Sequence, residues 1–254
     1  MTHRFGRTVV VALGGSIVYP HTITGNVPRT GAKRPSPFGV GACPDGIDVA
    51  FVRKFKRFLA PFVRHKVRFV IVIGGGQLSR NFQTAAARVA PVTDEDKDWI
   101  GIHATRLNAH LLRTIFREIA DPVIIDARHK LPKLTHPVTI ASGWRPGWST
   151  DFVAAASAAD YGAKEFVVAG KPSHVFDKDP HVHDGAVPFE TLSWRDYRKL
   201  IPAQWKPGAH APVDPVAAKF AQKEKLTAVI IDGRNLKNFV NLLNGKEFWG
   251  TIIT

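Results

Sequence analysis

Three stretches combine residue types that hold phosphate. Val70-Ile-Val-Ile-Gly-Gly-Gly76 ends an apolar run in three glycines, and Arg80 follows about one helical turn later. Consecutive glycines cost backbone entropy, roughly 1 kcal/mol each against alanine in a regular element. A plain turn rarely needs three of them. A loop lying against an anion does, because its amides approach the ligand closely and the next helix opens with free N–H groups. Gly14-Gly15-Ser16 follows another apolar run, and Gly143 to Asp151 is a third glycine loop, with Ser149, Thr150 and Asp151 at a helix start. Ser, Thr and Asp there also suit ordinary capping, and one residue can serve both ends. Between the loops lies Asp98 to Ala109, where Thr105, Arg106 and Asn108 fall on a helical pattern whose other face is Ile100, Ala104, Leu107, Leu111 and Leu112. A core helix that carries an arginine and an asparagine needs a polar partner for them.

Common nucleotide signatures are absent. Gly-x-Gly-x-x-Gly does not follow the first run, and Gly-x-x-x-x-Gly-Lys-Ser/Thr occurs nowhere. The residues suggest no nucleophile–base constellation. His174, His181 and His183, with Asp179 and Asp184, invite a zinc reading, but their spacing matches no ligand pattern and no metal ligands are assigned. Trp144 and Trp148 could stack on a base or fill a subunit contact.

The elements that must position these loops read as alternating strands and helices. Apolar, β-branched runs at Thr8–Leu13, Val67–Ile73, Pro122–Asp126, Val138–Ala141, Glu165–Ala169 and Leu226–Asp232 suit strands buried on both faces, with a last run at Trp249–Ile253. Helical patterns fall at about 46–64, 77–90, 99–120, 151–161, 213–223 and 235–244. This alternation predicts an α/β fold, a mainly parallel sheet with helices on both faces. The glycine loops then share the carboxyl edge, where such folds bind ligands. A Pro/Gly-rich basic insertion at about 19–44 interrupts the order, and the 254 residues read as one domain.

The net charge is +14. Arg53, Lys54, Lys56, Arg57, Arg64, Lys66 and Arg68 fall in one segment without an acid, interleaved with Val52, Phe55, Phe58, Leu59, Phe62 and Val63. That is an amphipathic helix with a basic face, able to make non-specific nucleic-acid contact or to steer phosphorylated substrates. No apolar run approaches a membrane span or a signal-peptide core, and Cys43 is the one cysteine, so the expectation is a cytoplasmic protein.

In order and spacing these motifs resemble the amino acid kinase family, and within it the archaeal type of uridylate (UMP) kinases. The most specific segment is Asp98-x-x-Gly101-Ile-x-Ala-Thr105-Arg106-x-Asn108-Ala109. Gly74-Gly-Gly-x-x-x-Arg80, Gly143-x-x-Pro-Gly147-x-Ser149-Thr150-Asp151, Asp177-x-Asp179-Pro180 and Pro212-Val-Asp214-Pro-x-Ala-Ala-Lys219 are also similar. The resemblance implies a three-layer αβα sandwich, a homo-oligomer (a hexamer), and magnesium-dependent transfer of the ATP γ-phosphoryl to UMP in pyrimidine biosynthesis. It implies that Gly75, Gly76, Arg80, Asp98, Gly143, Ser149 and Thr150 hold UMP. For ATP it implies Gly14, Gly15, Ser16, Lys171, Phe176, Asp179 and Asp214, and it gives catalytic roles to Asp151, Lys219 and Gly15.

Two departures stand out. Many members have a lysine two residues before the first loop glycine, where this chain has Ala12; Lys219, Lys33 or Arg34 could compensate. The usual Val-Asp-Gly is replaced by Pro172-Ser173-His174, which reshapes the turn facing the nucleotide. Readings left open are a kinase of another small acceptor, such as carbamate or isopentenyl phosphate, and a catalytically weak homologue that senses nucleotides, stores them or binds RNA.

Overall fold

In the computed structural model, residues 1–20, 46–128, 131–180, 182–205 and 211–254 are described. Most of the 19–44 insertion, with Lys33, Arg34 and Cys43, lies outside the described residues, as does His181.

The chain begins with strand β1 (Thr8–Leu13), the single turn α1 (Gly15–Val18) and helix α2 (Val49–Arg64). Strand β2 (Arg68–Ile73), helices α3 (Gly76–Val89) and α4 (Asp94–Ile115), and strand β3 (Val138–Ala141) follow. Then come α5 (Thr150–Asp160), β4 (Glu165–Gly170), and the short strands β5 (Val175–Phe176), β6 (Pro188–Phe189) and β7 (Thr191–Leu192). The chain closes with α6 (Trp194–Leu200), α7 (Pro215–Lys223), β8 (Thr227–Asp232), α8 (Leu236–Leu243) and β9 (Thr251–Ile253).

Seven strands form one sheet in the order β3-β2-β1-β4-β8-β9-β7, while β5 and β6 pair separately. The β3-β2-β1-β4-β8 block is parallel, and β9 runs antiparallel to β8. Both faces are covered, as the unbroken apolar runs require. Val9, Val11 and Leu13 pack beneath α2, α4 and α8; Val10 and Ala12 face α5, α6 and α7. This is the expected αβα sandwich. Ala12, two residues before Gly14, is 2% exposed on the α5 side, so that position presents a methyl group to a helix instead of an ammonium group to the rim.

Helix α2 has the expected two faces. Phe51, Phe55, Phe58 and Phe62 are buried in a ladder of rings, with Phe58 4.9 Å from Phe239 of α8. Its cations are exposed.

Three expectations are corrected. Residues 122–126 are not a strand, and only isolated bridges join Ala120 to Val138 and Ile125 to Ala141. The carboxylate of Asp121 accepts the Val123 amide at 2.9 Å, and that turn, with Pro122 lacking an N–H, breaks the ladder. Helix α4 starts at Asp94 instead of near 99, because Thr93 and Asp96 form a capping box. Leu107, placed with the apolar residues of α4, is 62% exposed, whereas Thr105 and Asn108 are buried.

Candidate active site

The buried polar residues of α4 explain how the loops are held. Asn108 Nδ2 donates to the carbonyls of Gly74 (2.8 Å) and Gly75 (3.2 Å), so the helix fixes the triple-glycine loop from below. Thr105 Oγ1 donates to Ile102 O at 2.6 Å and accepts the Gly143 amide at 2.8 Å. Asp98 Oδ2 accepts the Gly147 amide at 2.7 Å. One helix therefore locks two glycine loops by three side chains, Thr105 and Asn108 about one turn apart and Asp98 about two turns before Thr105. Arg106, between Thr105 and Asn108 in sequence, buries Nε without a partner among the described residues.

The first glycine loop meets the second backbone to backbone. A Cβ on Gly15 would lie 2.2 Å from Gly74 O and 2.4 Å from Gly76 N. Gly76 adopts φ +64°, and a Cβ there would lie 2.4 Å from the carbonyl carbon of Gly15. Only glycine lets these chains approach so closely. The amino end of α1 and that of α3 thus adjoin at one rim, formed by the carboxyl ends of β1 and β2.

Beside this contact opens a hollow of about 180 Å³. All seven residues expected to hold UMP line it: Gly75, Gly76, Arg80, Asp98, Gly143, Ser149 and Thr150. Arg80 Nε donates to Gln77 Oε1 at 3.1 Å, and burial holds its guanidinium below the usual arginine range. The hollow also takes in Trp148, one of the two tryptophans considered for stacking on a base, and Arg145 and Trp205, which the motifs did not single out. Arg145 lies over the Trp148 ring, 4.4 Å from its centroid, and its place within the third glycine loop was a usable signal. Trp205 comes from an irregular segment that no local pattern ties to the site. Trp148 packs on Phe152 (4.6 Å) and Trp144 is buried, so Trp144 is core packing.

The residues expected to hold ATP lie elsewhere on the rim. The Gly14 amide donates to Ala169 O at 2.9 Å, joining the first loop to the end of β4, where Lys171 follows. Phe176 lies on β5, 6.1 Å from His174, which in turn is 6.4 Å from the exposed Trp249. Asp179 lies in the segment between β5 and β6. Lys219 is exposed on α7, without an ion pair among the described residues.

Asp214 caps α7, accepting the Val216 and Ala217 amides at 2.8 and 3.1 Å, and it accepts the hydroxyl of Ser149, which caps α5. Two helix starts are thus clamped together. Burial raises the Asp214 carboxyl above the usual range, and these bonds offset only part of that. For Asp151, one residue inside α5, burial and then the charge of Asp214 push the carboxyl well above 3.8, against the smaller opposing effect of a backbone hydrogen bond at Asp214. The sign follows from linkage. The folded form keeps a proton that the unfolded chain has lost, so the stability is full below the ordinary carboxylate pKa and falls as pH rises through the elevated value. Asp151→Asn is therefore expected to melt higher than the parent at neutral pH without nucleotide, with the gain vanishing in acid. A lower melting temperature at neutral pH would contradict this.

Among the described residues no group of three or more His, Cys, Asp or Glu side chains is placed to hold a metal ion. Asp214, bonded to Ser149 of the hollow, offers carboxylate oxygen of the kind that suits a cation arriving with nucleotide phosphates.

A mainly parallel sheet of this order, covered by helices on both faces and with adjoining glycine loops, defines an α/β protein of the three-layer αβα class. The sequence profile of the amino acid kinase family matches residues 7–232, and the chain belongs to that family. Among its relatives, the uridylate kinase of Methanothrix thermoacetophila is 32% identical over 202 residues, covering 78% of this chain and 89% of that protein. The uridylate kinase of Methanosarcina barkeri is 35% identical over 173 residues, 67% of this chain and 74% of that protein. The crystal structure of uridylate kinase from Archaeoglobus fulgidus superposes with a TM-score of 0.74 at 25% identity, covering 97% of this chain and 99% of that one. No helix among the described residues is long and apolar enough to cross a membrane.

Proposed function

We propose that this chain is a cytoplasmic enzyme that transfers the γ-phosphoryl group of ATP to UMP, giving UDP and ADP. The observation that carries the reading is the convergence of all seven expected acceptor residues on one hollow, next to the backbone contact of Gly15 with Gly74 and Gly76. Similarity to proteins named uridylate kinase over most of the chain supports it.

Phosphoryl transfer needs two anionic substrates held in line and positive charge where the group passes. In this reading Arg80 and the amides of Gly75 and Gly76 hold the UMP phosphate. Asp98, already fixed by the Gly147 amide, offers its carboxylate to the ribose hydroxyls. Gly14, Gly15 and Ser16 hold the ATP phosphates, and Phe176 flanks the adenosine. Magnesium, when bound with ATP, neutralises phosphate charge. Asp151 organises the rim, and Lys219 supplies the cation that Ala12 does not.

A coupled assay with ATP, magnesium and a panel of acceptors tests the reading. Turnover with UMP is expected; turnover only with carbamate or isopentenyl phosphate, or nucleotide binding without turnover, rejects it. In the same assay Lys219→Met is expected to lower turnover by about 100-fold, the usual cost of a lost preorganised donor, with KM for UMP unchanged. Turnover near that of the parent would remove Lys219 from the mechanism.

The reading includes a homo-oligomer, a hexamer by resemblance. Helices α3 and α4 pack together, and expose Phe82 and Val89 on one, Trp99 and Leu107 on the other. Large exposed apolar side chains in such number suit a contact with a second copy, which sedimentation of the purified chain would reveal.

A further inference from the structure

The edge of the sheet opposite the glycine loops is cationic, and its charge is placed by the fold. Arg68 opens β2 and pairs with Thr8 of β1; Lys164, immediately before β4, lies at the same level on the other side of β1. Arg7 precedes β1, and Lys225 precedes Leu226 and β8. Neighbouring strands lie about 4.8 Å apart, so these groups form a row across four strands. An open cleft of about 420 Å³ lies there, with Arg4, Arg7 and Lys164 among its walls. Glu165 also lines it, with its carboxylate engaged by the Gly6 amide at 3.1 Å. From the row the charge continues onto α2. At about 100° per residue, Arg53, Arg57 and Arg64 fall within a sector of roughly 40° on its exposed face. None of these cations forms an ion pair among the described residues.

Backbone conformation supplies an independent argument. Lys66 and Lys225 have φ of +60° and +53° and are the only described non-glycine residues with positive φ. Each follows a helix and leads into a strand of this edge, a position where glycine or asparagine is the unstrained choice. Strained backbone marks a place where something other than stability selects the residue. Both strained residues bring a lysine to the same edge.

We propose that this edge, with the outer face of α2, binds the phosphodiester backbone of nucleic acid without reading its sequence. A membrane surface is the weaker fit: an interfacial helix inserts its apolar face among the lipids, and the apolar face of α2 is already buried in the core. The site lies at the far edge of the sheet from the hollow, and the proposal does not depend on the reaction assigned there.

The test is binding of a fluorescein-labelled, mixed-sequence RNA 20-mer to the full chain across a salt series, with saturating UMP present. Parent affinity is expected to fall with salt, by a slope of about −0.7 per phosphate neutralised. Arg53→Gln/Arg57→Gln/Arg64→Gln is expected to flatten the slope by about two and to weaken binding about tenfold or more, with UMP turnover unchanged. Lys66→Gly/Lys225→Gly separates charge from fold: it is expected to melt higher than the parent and yet bind RNA more weakly. The proposal fails if both variants bind RNA like the parent. It also fails if they lose anionic phosphatidylserine vesicles while keeping RNA.

Discussion

A Gly15→Ala variant is expected to lose about 100-fold or more in turnover, since displacement of reacting groups by roughly 1 Å is enough for that loss. The added methyl group would meet Gly74 O at 2.2 Å and Gly76 N at 2.4 Å. Both are backbone atoms, so no side chain can rotate away. Either α1 retreats or the two glycine loops separate, and each response moves the phosphate-holding amides apart. Overpacking of this kind costs about 1–3 kcal/mol, or roughly 2–10 °C in melting temperature for a chain of this size. Gly162→Ala is the control. Gly162 also has a positive φ (+68°), but nothing lies within 4 Å of its Cβ, and it is remote from the hollow. It should lower the melting temperature by backbone strain alone and leave turnover intact. Calorimetry and the coupled assay distinguish the two, and a Gly15→Ala enzyme retaining most of its turnover would refute the close contact.

Arg80→Met carries the second large effect, and it is selective. The side chain lines the acceptor hollow, and burial already strips enough water from it to lower its pKa. A hydrogen bond between charged groups is worth about 1.5–3 kcal/mol, which corresponds to about 10- to 150-fold in affinity. KM for UMP is expected to rise by that factor while KM for ATP stays near its parent value. Lysine at the same position restores the charge without the planar fork, so Arg80→Lys should recover only part of the loss. Equal increases in both KM values would mean that Arg80 supports the whole rim instead of the acceptor phosphate.

The strands and helices of the sandwich were legible because they depend on short-range pattern. The run Val9 to Leu13 alternates between two cores, and a strand apolar on both sides belongs in the middle of a covered sheet. The phosphate loops were legible for a similar reason, since repeated glycines and cap residues are local signals. The errors came where one polar contact overrules a pattern. The Asp121 carboxylate turns the chain at Val123 and removes a strand, and the capping box of Thr93 and Asp96 starts α4 a turn early. Leu107 and Thr105 exchange their expected faces because the polar residues are needed beneath the glycine loops.

By itself the sequence determined which residues could hold phosphate, the alternation that makes the sheet, and the basic face of α2. Each follows from residue type and spacing within a few turns of chain. Only the tertiary structure decided that Gly15 rests on Gly74 and Gly76, that Ser149 is joined to Asp214 across 65 positions, and that Trp205 reaches the hollow. It also decided that Arg7, Arg68, Lys164 and Lys225 stand in one row. Those are contacts between segments distant in the chain, set by strand order and register, and no local periodicity contains them.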